Sequence, residues 1–220
     1  MTFSATVEGI WKSLINHVPE EMAAEIIVDI KDTVLDEKVK NLDIATVAEE
    51  ISGCSKCFKM DTYSRKKAVW NTLNPSLLVV LERPNIGKEA SKTLTSALTD
   101  AGFDYSNTSL TYLTRCYNSK YTTLNRENCF EYLEDEITAL KPKVILACGK
   151  VVSDFLLGPQ DNLTKSLGNV YMVGNYPVLV TYSPSFLISR QNNNAAITNF
   201  STDIHTAAKI CKIGLEEQHE

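Results

Sequence analysis

The chain has 220 residues, 44% hydrophobic, 22% charged and 8% aromatic, with 22 basic against 27 acidic side chains and a net charge of −5. It contains no run of about 18 apolar residues, and nine Gly and seven Pro are too few for a collagen-like or disordered chain, so one soluble globular domain without a membrane span is expected. The acidic balance argues against polyanion binding by bulk charge; a nucleic-acid partner would need a local basic or backbone-donor patch.

The segment Met1-Thr2-Phe3-Ser4-Ala5-Thr6-Val7-Glu8 has no basic stretch ahead of an apolar core and is not read as a secretory signal. Ile10, Trp11, Leu14, Ile15 and Val18 recur at helical spacing, and Pro19-Glu20-Glu21 opens a second helix striped by Met22, Ile26, Ile27 and Ile30. A charged bridge, Asp36-Glu37-Lys38-Val39-Lys40, leads to a third helix from Ile44 to Ile51. Residues 1–43 are expected to form accessory helices, and residues 44–220 the main domain.

Asn74-Pro75 sets a turn before Ser76-Leu77-Leu78-Val79-Val80-Leu81, an unbroken apolar run that suits a strand buried on both faces. A helix from Lys88 to Ala101 follows, ended by Gly102, then a strand near Ser109 to Thr114 and a polar loop from Tyr117 to Asn125. The next helix, Glu127 to Leu140, stops at Lys141-Pro142 because Pro cannot continue it. Lys143-Val144-Ile145-Leu146-Ala147-Cys148-Gly149 is a second buried strand with a helix, Lys150 to Leu157, behind it. Strands at Asn169 to Val173 and Pro177 to Thr181 reach the turn Tyr182-Ser183-Pro184-Ser185, and a helix from Ala195 to Ile210 closes the fold. Alternation at this spacing predicts a mostly parallel sheet covered on both faces, a three-layer α/β/α sandwich. Ligands of such sheets sit at the strands' carboxyl ends.

Six cysteines stand at positions 54, 57, 116, 129, 148 and 211. With no signal sequence they point to a reducing, intracellular setting, where thiols ligate metals, catalyse or sit in cores. Cys54-Ser55-Lys56-Cys57 lets two thiolates reach one metal, but no second C-x-x-C or His pair completes a zinc site, and His17, His205 and His219 are scattered. Cys116 at a strand end and Cys129 on the next helix are placed to converge with them. Cys148 and Cys211 read as small core residues. Spacing alone leaves a four-cysteine metal site and a set of unrelated thiols equally open.

Taken in order, the motifs resemble the family-four uracil-DNA glycosylases, which bind a [4Fe-4S] cluster. That family runs a helix into C-x-x-C, then a buried strand ending in Gly-Glu-x-Pro-Gly, then a strand ending in Lys-Cys or Arg-Cys with a fourth Cys on the next helix. Lys-Pro-Lys precedes its next strand, and a His-Pro-Ser turn follows a Thr-Tyr. Here the matching pieces are Cys54-Ser55-Lys56-Cys57, Leu81-Glu82-Arg83-Pro84-Asn85, Arg115-Cys116, Asn125-Arg126-Glu127-Asn128-Cys129, Lys141-Pro142-Lys143 and Thr181-Tyr182-Ser183-Pro184-Ser185. The resemblance implies the uracil-DNA glycosylase fold over residues 44–220, with Cys54, Cys57, Cys116 and Cys129 as ligands of a structural [4Fe-4S] cluster.

The departures fall on the chemistry. The family's base-reading Asn corresponds to Tyr112, and Ser183 stands where its turn carries the His that donates to the leaving oxygen. Asn85 replaces a Gly, and the loop Ile86-Gly87-Lys88-Glu89 carries no stacking aromatic. What survives is Glu82, Pro84, Gly87, Gly149 and the turn Ser183-Pro184-Ser185, with Glu82 placed to orient a water for attack at the sugar, against the plainer roles of capping a helix or pairing with Arg83. Ser183 and Ser185, with Asn85 and Tyr112, are the candidate DNA contacts; the alternative for the serines is a plain turn. Lys56, Lys59, Arg65, Lys66 and Lys67 form a basic cluster suited to phosphates or simply to solvent, with Tyr63 and Trp70 close by as candidate base-stacking rings. The expected function is DNA binding with a degenerate excision pocket, as an accessory in replication, repair or transcription with a protein partner from one of those processes. An active glycosylase with a rebuilt pocket, for uracil or a modified pyrimidine, is one alternative, and a protein-interaction module without DNA binding is another.

Overall fold

Two wholly apolar runs form the middle of a five-stranded sheet. β1 (Leu77–Leu81) and β3 (Val144–Cys148) are buried at every residue, because each has strands on both sides and helices on both faces. The computed structural model describes residues 43–57, 70–116, 123–159, 162–189 and 194–216. The expectations for residues 1–42, for Lys59, Tyr63, Arg65, Lys66 and Lys67, and for most of the loop after Cys116 lie outside them.

From Ile44 onward the described elements are α1 (Ile44–Gly53), β1, α2 (Lys88–Asp100), β2 (Thr108–Tyr112), α3 (Thr123–Leu140), β3, α4 (Lys150–Leu157), α5 (Leu163–Ser166), β4 (Val170–Val173), β5 (Tyr176–Thr181), α6 (Pro184–Ser189) and α7 (Asn194–Glu216). The sheet order is β2-β1-β3-β5-β4, parallel except for β4, which pairs antiparallel with β5 at an edge. The alternation of side chains along each strand splits the core into two layers. Leu77, Val79, Leu81, Val144, Leu146 and Leu179 pack with Leu94 and Ala97 of α2 and Phe200, Ile204 and Ala207 of α7. Leu78, Val80, Ile145, Ala147, Val178 and Val180 pack with Leu133, Ile137 and Leu140 of α3 and Val152 and Leu156 of α4. This is the expected three-layer α/β/α arrangement with a mostly parallel sheet.

The element boundaries differ from expectation in instructive ways. α3 begins at Thr123 rather than Glu127, so part of the expected polar loop is its first turn. The turn after β5 winds into the short helix α6, which Pro184 starts because a first-turn position needs no N–H. α7 runs on to Glu216. Cys148 and Cys211 are buried at 2% and 5% exposure, and the Cys211 thiol donates to the Ser76 carbonyl at 3.1 Å. Among the described residues no helix is long and apolar enough to cross a membrane.

Candidate functional site at the carboxyl ends of the strands

The chain enters the sheet at β1, goes outward to β2, then returns past β1 to β3. Strand order therefore reverses between β1 and β3, and the loops leaving these two strands part towards opposite faces. A crevice opens at such a point. Glu82, Pro84, Asn85 and Gly87 follow β1, and Gly149 follows β3.

Two glycines start the helices that leave this crevice. Gly87 (φ 83, ψ 157) precedes α2 and Gly149 (φ 93, ψ 165) precedes α4, and neither helix has a side-chain N-cap. Both helix starts bring the positive end of a helix dipole to the crevice, where it favours an anion. Asn85 shapes the first loop: its Oδ1 accepts the Gly87 N–H at 3.2 Å. A Cβ on Gly149 would lie 2.9 Å from Ser183 Cβ, so the loop after β3 is pressed against the turn after β5. Ser185 Oγ donates to the Ile86 carbonyl at 3.4 Å and ties that turn to the loop after β1. Asn85, Gly87, Gly149, Ser183 and Ser185 thus come together at one end of the sheet.

The sequence reading missed an aromatic pair beside this turn. Tyr182 and Phe186 stack with centroids 5.3 Å apart and planes 7° from parallel, and Phe186 is 39% exposed. Their spacing of four residues was the available signal, hidden because Tyr182-Ser183-Pro184-Ser185 reads as a turn.

Among the described residues, Glu82 pairs with neither Arg83 nor a helix N-terminus. Its Oε1 accepts from Arg126 Nη2 at 2.9 Å, and its carbonyl accepts both the backbone N–H and the hydroxyl of Thr114, at 3.0 and 2.8 Å. The carboxylate remains about a third exposed, at 33%. Tyr112, paired in register with Leu81, is only 8% exposed and belongs to the same apolar layer as Leu81, Leu94 and Phe103. Burial raises its phenol pKa, against the nearby Arg115 guanidinium. Tyr112 therefore fills the space at this strand end rather than lining an open surface.

The cysteines lie on the other side of β1 and β2. Cys54 and Cys57 follow α1, Cys116 follows β2, and Cys129 sits on the buried face of α3 with Tyr132, Leu133 and Glu136. The Cys129 thiol is pushed up to about 11, chiefly by burial, with the charges of Cys57 and Cys116 adding to the shift. Burial raises the Tyr132 phenol pKa, with the neighbouring Cys54 and Cys129 thiols adding to the shift. Asn128 Nδ2 approaches Cys57 Sγ at 3.7 Å. Cys57 and Cys116 thus act on Cys129, Cys54 lies beside Tyr132, and none of the four is in a disulfide. Among the described residues, no group of three or more His, Cys, Asp or Glu side chains is arranged to hold a metal ion as it stands.

Lys56 is engaged rather than free for phosphates: its ammonium pairs with Glu131 and lies 4.4 Å from the Tyr132 ring centroid. Beneath the cysteines is an ion pair that the sequence reading did not anticipate. Arg115, 2% exposed, donates to Glu136, 0% exposed, which also accepts from the Thr111 hydroxyl. Burial raises the Glu136 pKa, against the field of Arg115. Arg115 Nε and Nη1, Glu136 Oε1, Arg126 Nε and the Trp70 indole N–H are buried without a hydrogen-bond partner among the described residues. The signal in the sequence was the spacing of Cys129, Leu133 and Glu136, which places an acid on the apolar stripe.

Comparison with known proteins settles the family. A sequence model of the Uracil DNA glycosylase superfamily matches residues 82–204, more than half of the chain and the whole stretch from the loop after β1 into α7. The chain belongs to the uracil DNA glycosylase superfamily. It is also 28% identical over 143 residues to a type-4 uracil-DNA glycosylase of Pyrobaculum aerophilum, covering 59% of this chain and 72% of that protein. The superfamily match begins at Glu82, the first residue of the crevice, and takes in Gly149, Ser183 and Ser185.

Proposed function

We propose that this superfamily member binds DNA with a degenerate excision pocket and acts inside the cell as an accessory in DNA replication, repair or transcription. The observation that carries the reading is the burial of Tyr112. Base excision needs an open pocket that admits a flipped base, reads its polar edge and stabilises the departing anion. A phenol ring at 8% exposure, packed among Leu81, Leu94 and Phe103, takes up room and lacks the paired donor and acceptor of an amide. Ser183 supports the same conclusion, since a neutral hydroxyl would stabilise the leaving oxygen less than an imidazole, by roughly 3 kcal/mol.

DNA would meet the carboxyl ends of the strands through its backbone. The starts of α2 and α4 turn the positive ends of their helix dipoles towards phosphate oxygens, and Asn85, Ser183 and Ser185 add polar side chains. The stacked Tyr182 and Phe186 give a ring surface on which an unpaired base could rest.

Cys54, Cys57, Cys116 and Cys129 would hold a [4Fe-4S] cluster. A set of four thiols with no imidazole or carboxylate suits iron–sulfur chemistry, and the electrostatic neighbourhood of Cys129 with Cys57 and Cys116, and of Tyr132 with Cys54 and Cys129, supports their convergence. Such a cluster supplies a covalent cross-link between the loop after α1 and the segment joining β2 to α3.

One observation favours a second reading, an active glycosylase taking uracil or a modified pyrimidine through a rebuilt pocket. Glu82 stands at the carboxyl end of β1 with its carboxylate oriented by Arg126 and still in contact with solvent. Fluorescence anisotropy with single- and double-stranded oligonucleotides at low salt tests the DNA-binding part. Saturable binding that weakens as salt rises is expected, and weakens further in the Ser183→Ala/Ser185→Ala double variant. Absence of binding to either oligonucleotide would refute the proposal and leave the protein-interaction alternative.

A further inference from the structure

We propose that Arg126 is a DNA-phosphate contact which Glu82 occupies in the free protein, so that binding exchanges a carboxylate for a phosphate on one guanidinium. This rests on the DNA-binding reading above and gives Glu82 a role that needs no base excision.

The two residues come from distant parts of the chain. Glu82 is the first residue after β1, at the carboxyl end of the sheet, and Arg126 lies in the first turn of α3. Arg126 Nη2 donates to Glu82 Oε1 at 2.9 Å, and neither side chain is sealed off: 21% of the arginine and 33% of the glutamate remain exposed. An ion pair this close to solvent is weak, because water screens it and two long side chains must be held still. It opens at little cost. The guanidinium is also not fully used: its Nε is buried without a hydrogen-bond partner among the described residues, so the paired arrangement leaves a donor unsatisfied.

The chemistry of the fork points to phosphate as the competitor. Carboxylate and phosphate present the same pair of oxygens to a guanidinium, and either can accept from two of its N–H groups at once. The crevice has a need for such a cation. Asn85, Ser183 and Ser185 are neutral, and Lys150 at the start of α4 is tied to Asp154 at 3.0 Å. In a chain of net charge −5, attraction for phosphate must come from a local basic group. Glu82 balances Arg126 until a phosphate replaces it, and the displaced carboxylate turns to the solvent it already touches. Simple repulsion predicts something different. If Glu82 only repelled phosphates, removing its charge would help binding whether or not Arg126 were present.

A double-variant cycle on the full-length protein separates the two. Anisotropy with single- and double-stranded oligonucleotides is read over a series of salt concentrations, with thermal melts of every variant. Arg126→Gln should weaken binding roughly ten-fold and lower the salt slope by about one. Arg126→Met, which keeps the aliphatic stem, should behave alike and replaces it if Arg126→Gln does not fold. Glu82→Gln should tighten binding about three-fold, the size expected from freeing a screened ion pair. In the Arg126→Gln or Arg126→Met background the same change should have no effect. Wild-type affinity and salt slope in a folded Arg126 variant, or a gain from Glu82→Gln that persists without Arg126, would overturn the inference while leaving DNA binding in place. Failure of the wild type to bind either oligonucleotide would overturn the DNA reading itself, and the inference with it.

Discussion

Alanine at Gly149 should damage the site more than alanine at any other helix-starting glycine in the fold. Gly149 has φ 93 and ψ 165, a region that residues with a Cβ occupy at a cost of about 2 kcal/mol. The new Cβ would also lie 2.9 Å from Ser183 Cβ. That neighbour is the root of a side chain rather than a flexible tip, so the whole turn after β5 must move, adding about 2 kcal/mol of overpacking. Gly87 isolates the first effect: its φ 83 and ψ 157 are nearly the same, yet a Cβ there meets nothing within 4 Å. At about 3 °C per kcal/mol for a domain of this size, Gly87→Ala should lower the melting temperature by about 6 °C and Gly149→Ala by about 12 °C. Differential scanning calorimetry on the two variants reads the difference, and anisotropy should show that Gly149→Ala also weakens DNA binding because Ser183 is displaced. Equal melting temperatures for the two variants would refute the argument that the Ser183 turn rests directly on Gly149.

Three further outcomes are expected. Cys116→Ser should lose iron and melt well below wild type; normal values of both would remove the cluster. Glu136→Leu should cost about 3–5 kcal/mol in urea unfolding by stranding the buried Arg115 charge, while adding Arg115→Met should recover most of that loss; a double variant no more stable than the single would show that the pair is not the cause. Burial holds the Asp203 carboxyl above its ordinary value of 3.8, against the hydrogen bond from Thr181 at 2.7 Å. The native state therefore keeps a proton that the unfolded chain releases, and stability falls as pH rises from about 3.8 through the raised value. Asp203→Asn should remove that part of the slope, and thermal melts at a series of pH values showing the wild-type slope in the variant would contradict it.

The parts of this fold that were legible in the sequence are those governed by local pattern. β1 and β3 announce themselves as continuous apolar runs because burial on both faces removes any need for alternation. α4 falls where expected, Lys150–Leu157, because Gly149 and Gly158 bracket it. The first turn of α3 was hidden because Thr123-Leu124-Asn125-Arg126 has the composition of a loop, and α5 because four residues carry no periodicity. The site was legible as a set of positions and less so as a set of partners. Glu82 was found at its strand end, but its partner Arg126 lies 44 residues away in sequence. Lys56 was grouped with the basic residues that follow it, whereas a glutamate and a ring on α3 hold it. The Arg115–Glu136 pair escaped notice because a charged residue read along the chain is assigned to solvent, and only the closing of α3 over β2 buries it.

The central claim is that the glycosylase fold is kept here while the excision pocket is closed. The measurement that tests it most directly is release of free base from uracil-containing single- and double-stranded oligonucleotides by anaerobically purified protein, with Glu82→Ala alongside. The account predicts that no uracil is released under conditions where the protein is bound to the DNA. Uracil release by the wild type that disappears in Glu82→Ala would contradict it and establish a working glycosylase with a substituted pocket.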